Sequence, residues 1–139
     1  MNVKDVMTSG VVSIGADASV EQAAAEMKDH NIGFLPVLSE NKVFGVVTDR
    51  DIVIRAIAAR KNPRATRIRE IATTDYIGCR PDAALGDVNQ LMAKHKIRRL
   101  LIVDAKGQVS GVLSLGDMAT RVQGKELAGA VMSDVCSDD

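Results

Sequence analysis

The chain has 139 residues, 46% of them hydrophobic, which suffices for one compact domain with a real core. Its 18 Lys and Arg equal its 18 Asp and Glu, so no long-range field draws in a polyanion and a general nucleic-acid partner is disfavoured. No apolar run approaches the roughly 18–20 residues that span a bilayer, no signal-peptide h-region follows Met1, and Cys79 and Cys136 make neither a disulfide framework nor a zinc site. The expected location is therefore the cytoplasm, without a membrane.

Val11-Val12-Ser13-Ile14 is a short β-branched run that reads as a strand. Asp17-Ala18-Ser19 opens a helix, with Ser19 and Gln22 spaced as a capping box. Val20, Ala23, Ala24 and Met27 follow at helical spacing as one apolar stripe, and Asn31-Ile32-Gly33 ends it. Phe34 to Leu38 and Val43 to Val47 read as a hairpin around the turn Ser39 to Lys42, with Pro36 where the ladder needs no donor. Thr48 caps a helix predicted from about Asp49 to Ala59, and Lys61-Asn62-Pro63-Arg64 is an exposed hinge. The same order returns as a strand at Tyr76-Ile77-Gly78-Cys79 and a helix from about Ala84 to Lys94. Strands at Leu100–Val103 and Val109–Leu113 follow, and a helix after Ser114. Residues 124–139 read as a loosely held tail with a short helix over Leu127–Val131.

The order returns because the chain is duplicated. Shifted by 65 residues, Thr8 falls on Thr73, Asp17 on Asp82, Met27 on Met92, His30 on His95 and Leu35 on Leu100. After one extra residue, Gly45 falls on Gly111, Asp51 on Asp117 and Arg55 on Arg121. Two copies are too few for a solenoid, so a closed pair is expected, each half burying the other's apolar face.

Several segments then carry a family resemblance. Val3-Lys4-Asp5-Val6-Met7-Thr8 resembles the opening of CBS (cystathionine-beta-synthase-type) motifs. Gly33-Phe34-Leu35-Pro36-Val37 resembles their central strand, and Gly45-Val46-Val47-Thr48-Asp49-Arg50-Asp51 their ending. Ile97 to Asp104 and Gly111 to Asp117 repeat the pattern. The resemblance covers about residues 3–122 and implies an α/β fold of tandem β-α-β-β-α motifs related by a pseudo-twofold axis. Residues 1–60 would be motif 1, 61–64 a linker, 65–123 motif 2 and 124–139 the tail, together a stand-alone Bateman module. Ala72 stands where Met is usual and Leu101 where Pro is usual, which touches packing more than chemistry.

Thr48-x-x-Asp51 and Ser114-x-x-Asp117 each lie between a strand end and a helix start. By spacing alone they are capping boxes. The resemblance adds that Asp51 and Asp117 accept hydrogen bonds from the ribose hydroxyls of an adenosyl ligand, with Thr48 and Ser114 beside it; the two roles are compatible. Two carboxylate oxygens suit a vicinal diol. Arg50, Arg98 and Arg99 are the candidate phosphate partners, and the resemblance puts Val12, Ile14, Tyr76 and Ile77 on the adenine-facing wall. His30 and His95 sit near helix C-termini, where the dipole favours them, and no zinc-ligand spacing or catalytic constellation accompanies them.

The expected function is that of a non-catalytic module binding AMP, ADP, ATP or a related adenosyl ligand, with no cofactor required, acting through an unknown protein partner or through its own homodimer. The apolar helix Ile52 to Ala59 motivates the dimer. A scaffold with vestigial clefts and a nucleotide hydrolase are the alternatives.

Overall fold

The computed structural model describes residues 1–116 and 118. They form two compact units that do not follow the order of the repeats. One is Val12–Tyr76; the other joins Met1–Val11 to the chain from Ile77 onward. Each contains a three-stranded sheet, and the alternation of strands and helices is that of tandem β-α-β-β-α motifs.

In unit 12–76 the strands are β1 (Ile14–Gly15), β2 (Phe34–Ser39) and β3 (Lys42–Thr48), in that order, with β1 parallel and β3 antiparallel to the central β2. Leu35, Pro36 and Val37 are consecutively buried, which a strand covered on both faces allows. Val46 spends its N–H and its carbonyl on Thr73, at 2.9 and 2.8 Å. Its partner across the hairpin, Pro36, is therefore asked for no donor by β3, as the sequence predicts. On the other edge Pro36 has no N–H to give, and the β1 ladder opens one residue later, at Ile14 opposite Val37; the strand expected over residues 11–14 is observed as Ile14–Gly15. The hairpin closes through Glu40 and Asn41, both at positive φ (53° and 65°), the signature of a two-residue type I′ turn.

Helix α1 (Val20–His30) begins with the predicted capping box: Ser19 Oγ accepts from the Gln22 N–H at 3.0 Å, and Gln22 Oε1 accepts from the Ser19 N–H at 2.8 Å. Val20, Ala23 and Met27 are buried, but Ala24 is exposed, so the inward stripe is narrower than the sequence suggests. Asn31 ends the helix at φ 53°, its N–H returning to Met27 and Lys28 carbonyls.

The helix after Thr48 departs from expectation. Its first turn, α2 (Asp49–Asp51), gives way to π winding over Ile52–Ile57. The Ala58 N–H reaches Val53 O (2.8 Å) and the Lys61 N–H reaches Ala56 O (2.9 Å), both five residues back. Ile52 and Ala56 face the core, whereas Val53, Ile54 and Ile57 are 57, 47 and 54% exposed. The 61–64 connection is mostly exposed, as predicted, yet it is tethered: Pro63 O accepts from the Glu21 N–H, and Arg64 pairs with Glu21 at 2.9 Å. Beyond it Arg69 bonds Asp17 at 2.8 Å and lies over the Phe44 ring at 5.3 Å. The core cluster gathers Ile14, Val20, Ala23, Met27, Leu35, Val37, Val47, Ile52, Ala56, Ile68 and Ile71.

The second unit repeats the plan with β4 (Gly78–Cys79), α3 (Leu85–His95), β5 (Arg99–Val103) and β6 (Val109–Ser114). β4 is half the length predicted from Tyr76. Leu101 occupies the place of Pro36 and, having an N–H, takes part in the parallel ladder opposite Gly78. It is also 1% exposed, so the departure from the family pattern is a buried side chain with a normal backbone. Residues 1–11 complete this unit. Val3 and Lys4 donate to Ala83 O and Pro81 O at 2.9 and 3.0 Å, and Thr8 exchanges two bonds with Val112 at 2.9 and 3.0 Å. Val3 and Val6 are buried among Leu85, Val88, Met92, Leu100, Ile102 and Leu113. Each such side chain contributes roughly 1.5–3 kcal/mol relative to exposure. The tail expected over 124–139, with its helix at 127–131, lies outside the described residues.

Candidate functional site

In unit 12–76 the end of β3 delivers Thr48 to the start of α2. Thr48 Oγ1 accepts from the Asp51 N–H at 3.1 Å, and Asp51 Oδ2 accepts from the Thr48 N–H at 3.0 Å. The capping-box reading of this pair is thus correct. It occupies only one carboxylate oxygen. Asp51 Oδ1 stands 3.8 Å from Arg55 Nε, in a side chain 16% exposed. Arg55 in turn donates from Nη1 to Ile71 O and to Thr73 Oγ1, both at 3.0 Å. A half-occupied carboxylate, a fixed guanidinium and a threonine hydroxyl therefore meet at one corner of this unit.

The other predicted residues distribute as follows. Arg50 is exposed, and its N–H is taken by Asp49 Oδ1 at 2.8 Å. Gly33, which begins the approach to β2, is closed over by the Asp49 side chain: a Cβ there would lie 2.7 Å from Oδ2. Ile14 is a core residue, Val12 packs against that core from a half-buried position, and Tyr76 is half-buried. In the second unit Ser114 ends β6 opposite Arg99, and Arg98 O accepts from the Leu115 N–H at 2.9 Å. Arg98 and Arg99 are both exposed, and Ile77 packs against the core. Asp117 lies outside the described residues, so its pairing with Ser114 stays a reading of the sequence.

Arg55 and Thr73 were not singled out as site residues from sequence. The signal was available: Arg55 lies one helical turn beyond Asp51 and matches Arg121, and Thr73 matches Thr8. What hid the cluster is that Thr73 comes from an irregular segment 22 residues past Asp51, whose path no periodicity reveals.

A surface groove at the start of α1 is lined by Asp17, Ser19, Gln22, Arg64, Thr66 and Arg67. Its charges are already matched, Arg64 to Glu21 and both Arg67 and Arg69 to Asp17. The Arg69 hydrogen bond holds the Asp17 carboxyl below its usual range. His30 pairs with Glu26 at 3.2 Å in the last turn of α1. Among the described residues no group of three or more His, Cys, Asp or Glu could hold a metal ion, and no helix is long and apolar enough to cross a membrane.

The sequence model of the CBS domain matches residues 3–57 and again 68–124, so the chain belongs to the CBS domain family and carries two of its motifs. It is 37% identical to the CBS domain-containing protein YhcV of Bacillus subtilis over 134 residues, covering 96% of this chain and 94% of that one. Hypoxic response protein 1 of Mycobacterium tuberculosis is 29% identical over 84% of this chain and 81% of its own. The crystal structure of Hypoxic Response Protein I with two coordinated zinc ions superposes with a TM-score of 0.77 at 28% identity, over 86% of this chain and 97% of that chain. The CBS domain pair of MJ0100, in complex with 5'-methylthioadenosine and S-adenosyl-L-methionine, superposes with a TM-score of 0.76 at 29% identity, over 90% of this chain and 98% of that one.

Proposed function

We propose that the chain is a non-catalytic regulatory module of the cytoplasm that binds AMP, ADP, ATP or a related adenosyl ligand and acts through a protein partner or through its own dimer. The observation that carries this reading is the Asp51 carboxylate, anchored through one oxygen and left with the other as an acceptor at a strand-to-helix junction. A ribose diol is a donor pair of the right kind for it. Thr48 is at hand, and Arg50 supplies positive charge for phosphate; in the other unit Arg98 and Arg99 are the proposed phosphate partners. By the sequence match Asp117 and Ser114 have the same role there. The adenosyl ligands of the MJ0100 pair support the class of ligand. The module needs no cofactor, and the exposed Val53, Ile54 and Ile57 are the proposed dimer surface.

Calorimetric titration of AMP into the wild type and Asp51→Asn tests this. Loss of a charged hydrogen-bond acceptor costs about 1.5–3 kcal/mol, or roughly 10- to 150-fold in Kd. Unchanged affinity in an Asp51→Asn/Asp117→Asn double variant leaves the carboxylates with capping alone and sinks the reading. ATP incubated with the protein stays intact; release of ADP or AMP makes it a hydrolase instead.

A further inference from the structure

We propose that Arg55 is the anion-reading residue of the Asp51 site, so that this site discriminates adenosyl ligands by an anionic group one sugar ring away from the ribose diol. The inference rests on the ligand class proposed above and adds to it a residue and a selectivity.

Arginine carries five N–H donors in a planar fork. The two on Nη1 are spent on Ile71 O and Thr73 Oγ1. Nε faces Asp51 Oδ1 at 3.8 Å, an ion-pair separation that is too long for a hydrogen bond. The two donors on Nη2 have no partner among the described residues. The side chain is 47% exposed, so the unused edge is reachable. Two bonds to the 71–73 segment hold the guanidinium still before any ligand arrives, and a pre-organised fork loses little entropy per bond formed.

Charge points the same way. A phosphate that leaves water needs cationic or N–H partners to offset its desolvation. Of the cations near this corner, Arg50 projects from the exposed side of the first turn and has no fixed contact for its side chain among the described residues. Among the described residues Arg55 is the cation that is both anchored and beside the carboxylate. The sequence repeats the constellation in its second copy: Thr8 matches Thr73, Asp117 matches Asp51 and Arg121 matches Arg55. A staple that merely fixed the 71–73 segment would not require its arginine to sit one turn from an acceptor with a spare oxygen.

The experiment titrates AMP and adenosine into the wild type, Asp51→Asn, Arg55→Gln and Arg55→Lys, following the site that Asp51→Asn removes. Arg55→Gln is expected to weaken AMP by about tenfold or more while adenosine changes by less than about threefold. Arg55→Lys keeps the charge without the fork and falls between. In the wild type the Arg55 side-chain nitrogen resonances shift with AMP and not with adenosine, a readout that holds even where a variant folds poorly. If Arg55→Gln weakens both ligands equally, or neither, Arg55 is a staple or a bystander and the inference is overturned while the ligand class stands. If the wild type binds neither ligand, the ligand class falls and this inference with it.

Discussion

At the scale of single residues, Asp51 joins contacts of two reaches: the cap with Thr48, three residues away, and, through Arg55, the Ile71 carbonyl and the Thr73 hydroxyl. Spacing identified the Thr48–Asp51 box, because a cap is a local contact three residues long. It could not identify Arg55 on Ile71 and Thr73, because that contact joins a helix to an irregular segment. Cys79 is a similar case, since its chemistry is set by surroundings that spacing does not encode. Burial pushes its thiol from an ordinary value of 9.0 up to about 11. The folded protein therefore keeps the proton when the unfolded chain has lost it, and stability falls as pH rises from about 9 towards 11. In a Cys136→Ser background, native Cys79 is expected to react with iodoacetamide at pH 8 more slowly than in urea-unfolded protein. Equal rates would mean that the thiol is not sheltered.

Among the elements, the long periodic ones were legible and the short ones were not. Helices α1 and α3 lie within a residue of their predicted positions, because an amphipathic stripe and a left-handed terminus at Asn31 and Lys96 are sequence-local. β1 and β4, two residues each, are defined by pairing to a central strand, and Pro36 against Leu101 decides which pairs form. The π winding after Asp51 left no trace in the sequence, since Ile52 to Ile57 is apolar at nearly every position. The glycines make the packing testable. A methyl on Gly45 would strike the Thr73 carbonyl, and one on Gly111 would lie 2.6 Å from Thr8 O. Either Gly→Ala change is expected to destabilise by about 1–3 kcal/mol in urea titrations. Gly86, in α3 with open space around it, should respond in the opposite sense, with Gly86→Ala gaining about 0.5–1 kcal/mol. A common sign for all three would show that backbone approach does not decide the matter.

For the whole molecule, duplication was the strongest signal in the sequence, and it correctly announced two copies of one plan. It did not announce that the opening segment of the chain is built into the later copy, because an alignment records likeness and not destination. Three large apolar side chains, Val53, Ile54 and Ile57, are left in the open on the π segment. The proposed homodimer uses them, and Ile57→Glu should lower the dimer fraction measured by light scattering at micromolar concentration. A monomeric wild type under those conditions removes the dimer from the proposal. The placement of residues 1–11 also bears on the order of events at the ribosome. Val3 and Val6 leave it well before the buried residues they share a core with, from Leu85 to Met118. At about 5–20 residues per second, their partners are roughly 5–20 s behind. Unit 12–76 has all its strands by then, so residues 1–11 must wait, unpaired, while a unit made entirely after them closes first.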